Sequence, residues 1–235
     1  GIDIMDNDFI LNINSLLINP TGKNTSFMAS RQRIIENLNF KYEKLLLKHK
    51  KFDFKVFKYK KDSYLFKFLI PSETKENLFY DIFLLFSPNE VSKDDKSILR
   101  YDLKLFSNSP DFMFTYTYVL NENGFIIDFL KPKCSSKALK EAPTVKNPVE
   151  TYGFEKSCYY ACLYLKKMEL LKKFDLDKNI YVFDKSKILK EVSSQETKLK
   201  EYNMIKNKKQ AKPKSKKLPS TTRKQTISRK DKNKK

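Results

Sequence analysis

The sequence predicts an α+β fold: an N-terminal helix, a mostly antiparallel sheet of about six strands, C-terminal helices and a disordered basic tail. Three observations carry that expectation. Apolar and aromatic residues alternate with period two through the middle of the chain. Three-to-four spacing of apolar residues brackets that stretch on both sides. After Glu201 the acids almost vanish while the lysines continue.

Residues 1–25 read as an irregular lead-in, with Pro20-Thr21-Gly22 marking a turn. Ser26 is placed to cap a helix over 27–50, where Ile34, Leu38, Tyr42, Leu45 and His49 share one face. Arg31, Arg33, Lys41, Lys44 and Lys48 take the other face. Phe52, Phe54 and Val56 then alternate with Asp53 and Lys55, and the shift at Phe57 predicts a bulge. A turn at 60–63 leads to a second strand over 64–70, and strands over 78–86 and 101–106 follow. The cleanest alternation sets Phe112, Phe114, Tyr116, Tyr118 and Leu120 against Met113, Thr115, Thr117 and Val119. Asn121-Glu122-Asn123-Gly124 then predicts a hairpin into a strand over 125–130.

Pro132, Pro143 and Pro148 bracket a loop-rich stretch with one helical turn near 138–141. A helix over about 154–174 carries Phe154, Cys158, Ala161, Cys162, Leu165 and Met168 on one face. Tyr160, Leu163, Tyr164, Leu170 and Leu171 broaden its apolar surface, so it needs partners on two sides. A short strand over 179–183 and a charged helix over 187–202 complete the body.

The domain reading is therefore an α+β body, 1–202, and a disordered lysine-rich arm, 203–235. The arm holds 14 of the 48 basic residues and one of the 28 acids, Asp231, so it carries +13 of the net +20. Its only large aliphatics after Met204 are Ile205, Leu218 and Ile227, too few to offset the entropy of ordering it. Pro213 and Pro219 keep it extended. Only Arg31, Arg33, Arg100, Arg223 and Arg229 are arginines, and lysine is a flexible point charge that does not read guanine edges as arginine's fork does. An AT-rich genome would also favour lysine, but it would not remove the acids.

Such an arm suits phosphate backbone, whose neutralisation releases counterions irrespective of sequence. The candidate nucleic-acid-binding residues are Lys206, Lys208, Lys209, Lys212, Lys214, Lys216, Lys217, Arg223, Lys224, Arg229 and Lys230. An anionic membrane is a poorer fit, because the arm has no apolar anchor. A localisation signal or a solubilising tail would carry the same composition.

Other chemistries find less support. Cys158 and Cys162 share a helical face, but a metal site would need Cys134 and the single histidine, His49, to converge on them from distant segments. Buried small hydrophobes explain the pair more simply. Cys-His nucleophilic chemistry meets the same obstacle. Asp81 in one strand and Asp102-Leu103-Lys104 in the next resemble the PD-(D/E)xK nucleases. There two carboxylates hold Mg²⁺ and a lysine orients the attacking water. Glu36 or Glu43 could add an acid, but Tyr80 stands where that family has proline. With 28 acids and 43 lysines in 235 residues, chance alone gives about five (D/E)-x-K matches, and a solvated sheet face is the plainer reading.

No signal peptide is expected, since the first residues carry Asp3, Asp6 and Asp8, and apolar runs such as 82–86 are too short to cross a bilayer. The three cysteines then read as reduced thiols of an intracellular protein, and Asn24-Thr25-Ser26 as a chance sequon.

The stretches FSNSPDFMFTYTYVLNENGFIIDFL and APTVKNPVETYGFEKSCYYACLYL resemble uncharacterised structural proteins of tailed phages of low-GC bacteria. The resemblance implies a virion or genome-associated role, in a host cytoplasm or a virion, and supplies no site. The leading expectation is a non-enzymatic, nucleic-acid-associated structural protein that contacts DNA or RNA backbone and other protein subunits. No cofactor and no membrane partner are expected. The alternatives are a purely structural assembly component docking on acidic protein neighbours, and the metal-dependent nuclease.

Overall fold

A computed structural model describes residues 11–18, 28–145 and 154–210. The chain is α+β, built on a mixed five-stranded sheet of order β4-β3-β2-β1-β5. The strands are β1 (Asp53–Lys60), β2 (Ser63–Pro71), β3 (Phe79–Ser87), β4 (Asp102–Ser107) and β5 (Tyr181–Val182). Neighbours pair antiparallel except β5, which runs parallel to β1 at Phe57 and Lys58 only.

β2 and β3 are the central strands, and helices cover both faces there, so the two strands are buried almost end to end. One face carries Phe54, Phe66, Phe68, Ile82, Leu84 and Leu105 in register. Against it packs α6 (Lys156–Lys167), whose Tyr164 ring lies 5.2 Å from Phe52, 6.2 Å from Phe68 and 6.3 Å from Phe54. Behind α6 stand α1 (Ile13–Ile18) and α2 (Met28–His49), joined to it by Tyr159–Asn39, Lys166–Asn14 and Lys167–Glu43 contacts. The opposite face, with Lys67, Asp81, Phe83 and Phe106, lies under α8 (Lys185–Glu191) and α9 (Gln195–Gln210). There Lys67 pairs with Glu191 at 3.7 Å.

Several expectations give way to the structure. Among the described residues there are five strands, not about six. The alternating stretch after Phe106 forms α3 (Pro110–Thr115) and α4 (Thr117–Glu122), followed by a 3-10 helix at Asp128–Lys133. Ser109 caps α3 by accepting from the Phe112 N–H at 3.2 Å, Pro110 opens the helix, and Asp111 sits in its first turn. Phe112, Met113, Thr115, Tyr116, Thr117, Val119 and Leu120 are all buried, so the alternation separates no wet face from a dry one. Gly124 adopts φ +71° after α4 and ends a helix, where a hairpin turn was expected. What remains of the expected hairpin is an isolated parallel bridge between Ile126 and Leu105.

The bulge lies between Lys58 and Lys60, while Phe57 pairs regularly with Leu65. The long helix after Phe154 stops at Lys167, turns through Glu169 (φ +54°), and resumes as α7 (Lys173–Lys178). The charged helix expected over 187–202 is two helices, α8 capped by Asp184 and α9 begun after Ser193-Ser194. α5 (Ser136–Lys140) realises the expected helical turn near 138–141.

The expected body–arm boundary at 203 falls inside α9. Residues 203–210 are helical, and Tyr202 and Ile205 pack against the core. The cap at Ser26, the turn at 20–22, Pro148 and the arm from 211 lie outside the described residues.

Candidate nucleic-acid interface

The arm is rooted by one buried amide. Gln195 donates from Nε2 to the Ser107 carbonyl and to Thr117 Oγ1, both at 3.1 Å, and its Oε1 accepts from the Ser135 N–H at 2.8 Å. These three bonds fasten the first turn of α9 to β4, α4 and the start of α5. Ser194 Oγ accepts from the Thr197 N–H at 3.2 Å, an N-cap that the Ser-Ser pair makes legible in sequence. Nothing in the sequence marked Gln195 as the anchor. Farther along, the Lys75 ammonium lies 5.2 Å from the Tyr202 ring centroid, and Ile205 is the last partly buried aliphatic among the described residues.

Beyond Ile205 the helix faces water. Lys206, Lys208 and Lys209 are exposed in its last turns, where cations also favour the negative end of the helix dipole. That dipole effect is their bland role. The other candidates, Lys212, Lys214, Lys216, Lys217, Arg223, Lys224, Arg229 and Lys230, lie outside the described residues.

The nuclease-like triad is not assembled. Register places Asp102 opposite Ser87 and Lys104 opposite Leu85, so these two share a sheet face with Asp81. Asp81, however, precedes Ser87 by six residues, about 20 Å along a strand. One metal ion cannot bridge that separation. Each group has another partner: Asp102 accepts from Asn89 Nδ2 at 2.8 Å, and Lys104 meets Asp128 at 3.5 Å. Glu36 accepts from Gln32, and Glu43 pairs with Lys167 at 2.8 Å.

Asp81 is not the solvated surface group that sequence suggested. It is 7% exposed, and its Oδ2 accepts from Asn108 Nδ2 at 2.8 Å. The same Asn108 takes the Asp81 N–H on Oδ1 and donates to the Ser193 carbonyl just ahead of α9. Burial pushes the Asp81 carboxyl above its ordinary range, with the Lys67 charge and the Asn108 bond opposing.

A second polar cluster escaped sequence reading altogether. Glu73, between β2 and β3, accepts from both Lys156 Nζ and Tyr160 OH of α6. Burial works to raise its carboxyl, but these two donors hold it below the usual range. Next to Lys156, Glu155 is fully buried, and desolvation, then the Asp111 charge, pushes it up to about 7. Its Oε2 has no hydrogen-bond partner among the described residues. The Glu73 cluster clips the β2–β3 loop to α6, and burial raises rather than lowers the Tyr160 phenol, so no activated nucleophile results.

The cysteines are equally inert. Cys134, Cys158 and Cys162 are free and buried, and burial pushes the Cys134 thiol up to about 12. His49 rests edge-on against Phe79 at 6.3 Å. Among the described residues, no three His, Cys, Asp or Glu side chains are grouped to hold a metal ion. None of the described helices is long and apolar enough to cross a membrane. The chain matches no known protein family, no curated protein and no solved structure.

Proposed function

We propose that this chain is a non-enzymatic, nucleic-acid-associated structural protein whose C-terminal basic arm lies along phosphate backbone without reading sequence. One observation carries the proposal: 14 of 48 basic residues but one of 28 acids fall in the last 33 positions. A localisation signal or a solubilising tail tolerates this composition but does not require it. An arm laid on a polyanion does, because each acid would repel phosphate. The separation of Asp81 from Asp102 and Lys104 counts against the nuclease alternative. The phage-protein resemblance of 106–130 and 142–165 supports a virion or genome-associated setting, with other subunits as protein partners.

The test is the salt dependence of binding to a short DNA duplex. If half of the arm's 14 basic groups contact phosphate, log affinity falls against log salt with a slope of about −6. A slope near −1, or strong preference for one sequence at physiological salt, overturns the proposal. Adding Mg²⁺ or Mn²⁺ to the same mixture tests the nuclease. Cleavage by the wild type that both Asp81→Ala and Asp102→Ala abolish would reinstate it.

A further inference from the structure

The open edge of the sheet carries an apolar, aromatic and lysine-bearing surface distinct from the arm. β5 covers β1 only at Phe57 and Lys58 and leaves 53–56 without a strand partner on that side among the described residues. A groove of about 520 Å³ fills this gap, within the size range of small-ligand sites. Its walls include Phe54, Lys55 and Val56 from β1, Leu176 from α7, and Ile180 and Tyr181 from the β5 segment.

Tyr181 stands in the groove wall and Phe174 precedes the lining residue Asp175 in the chain; both are exposed aromatics with a lysine over the ring. Tyr181 is 52% exposed, and the Lys55 ammonium lies 5.4 Å from its ring centroid. Phe174 is 74% exposed beside the groove-lining Asp175, with Lys178 at 4.1 Å from its ring. The local charge is positive. Residues 51–62 hold Lys51, Lys55, Lys58, Lys60 and Lys61 against Asp53 and Asp62, and residues 172–178 hold Lys172, Lys173 and Lys178 against Asp175 and Asp177. Lys178 pairs with Asp175 at 3.5 Å and Lys58 with Asp177 at 3.4 Å, exposed pairs for which a phosphate competes. Lys55 and Lys60 make no ion pair among the described residues.

We infer that this edge binds single-stranded nucleic acid, with Tyr181 and Phe174 stacking on bases and Lys55 and Lys178 meeting phosphates. The inference rests on the nucleic-acid reading above and narrows it to a strand type. A nucleotide offers what each ring–lysine pair matches: a flat π-surface tied to an anion a few ångströms away. Stacking platforms of this kind tolerate any base, because every base has a π-face. A duplex hides those faces inside its stack, so the surface discriminates against it while the arm does not.

The test uses the full chain, labelled oligothymidylate and a short labelled duplex, with affinity read by fluorescence anisotropy. The Tyr181→Ala/Phe174→Ala variant keeps every charge. It is expected to lose about tenfold or more in oligothymidylate affinity, with duplex affinity within about twofold of wild type. The single Phe174→Ala variant, at an exposed ring, should lose several-fold on oligothymidylate with an unchanged melting temperature. That result guards against confusion with unfolding at β5. Unchanged oligothymidylate affinity in both variants, or equal loss on both ligands, overturns the inference and leaves the arm proposal standing. Failure of the wild-type chain to bind either ligand overturns both.

Discussion

Helix α6 buries every residue from Ser157 to Leu165, whereas α9 buries only Gln195 among its described side chains. α6 is apolar all round and lies between the sheet and helices α1 and α2, so its sequence is spent on packing. α9 is fastened at its first turn and along a narrow line at Tyr202 and Ile205, and apart from the exposed Met204 its exposed surface is polar or charged. The contrast teaches where to look for function in a chain whose nuclease-like triad is not assembled. Residues that stabilise the core are not available to a partner, and the lysines that do not stabilise it are.

The largest test of that contrast is a cavity in α6. Leu165→Ala should cost about 2–5 kcal/mol by chemical denaturation, because Leu165 is fully buried. Nucleic-acid affinity of the molecules still folded should not change. A loss below about 1 kcal/mol would mean that α6 is not the packed centre described.

A pH titration sharpens the comparison at the N-terminus of α6. The Glu155 pKa rises from an ordinary 4.5 to about 7 in the folded state, so folding favours the protonated form. Stability from this group is therefore gained as pH falls through 7 and is complete below 4.5. At pH 8 the buried carboxylate costs up to about 3 kcal/mol. The wild type should melt higher at pH 5 than at pH 8, and Glu155→Gln should largely flatten that difference. Glu73 has the opposite sign. Its lowered pKa adds stability that is lost only as pH falls below the ordinary 4.5, outside this window. A Glu155→Gln variant with the wild-type pH dependence would show that the carboxyl is not buried as described.

At α9 the expected effect is smaller. Gln195→Ala strands the Ser135 N–H and leaves the Ser107 carbonyl and Thr117 hydroxyl without their amide donor, a loss of about 1–3 kcal/mol. Exchange protection should fall first along α9, while α6 stays protected. Equal loss in both helices would mean that the two are one cooperative unit.

The same contrast explains what the sequence made legible. β2 and β3 are apolar runs broken only by Lys67 and Asp81 over Tyr64 to Ile70 and Leu78 to Phe86, and strand formation is their plain consequence. α2 and α6 follow from their helical spacing. Phe112 to Leu120 misled because alternation marks a strand only when one set is wet, and here Met113, Thr115, Thr117 and Val119 are buried while Phe114 of the other set is exposed. Ser109-Pro110-Asp111 was the stronger local signal, since a cap and a first-turn proline fix the backbone whatever follows. The polar network of Asp81, Asn108, Ser193 and Gln195 was not legible, because its members come together from separate strands and helices. Of the candidate interface, the charge of Lys206, Lys208 and Lys209 was legible but their helical setting was not. Ile205, counted as an isolated aliphatic, is what extends the helix past 202.

That helical root decides how the central claim is tested. Cutting at 203 would remove Ile205 and disturb α9, so the informative truncation ends the chain at Gln210. It deletes 11 basic residues and Asp231, and leaves the described part of the body untouched. The measurement is duplex affinity against salt for the full and truncated chains, with the melting temperature of each. The account predicts an unchanged melting temperature, most of the affinity lost, and a salt slope reduced from about −6 to about −3 or shallower. A truncated chain that binds the duplex as tightly as the full chain, with the same slope, would contradict it and move the interface to the basic face of α2 at Arg31, Arg33 and Lys41.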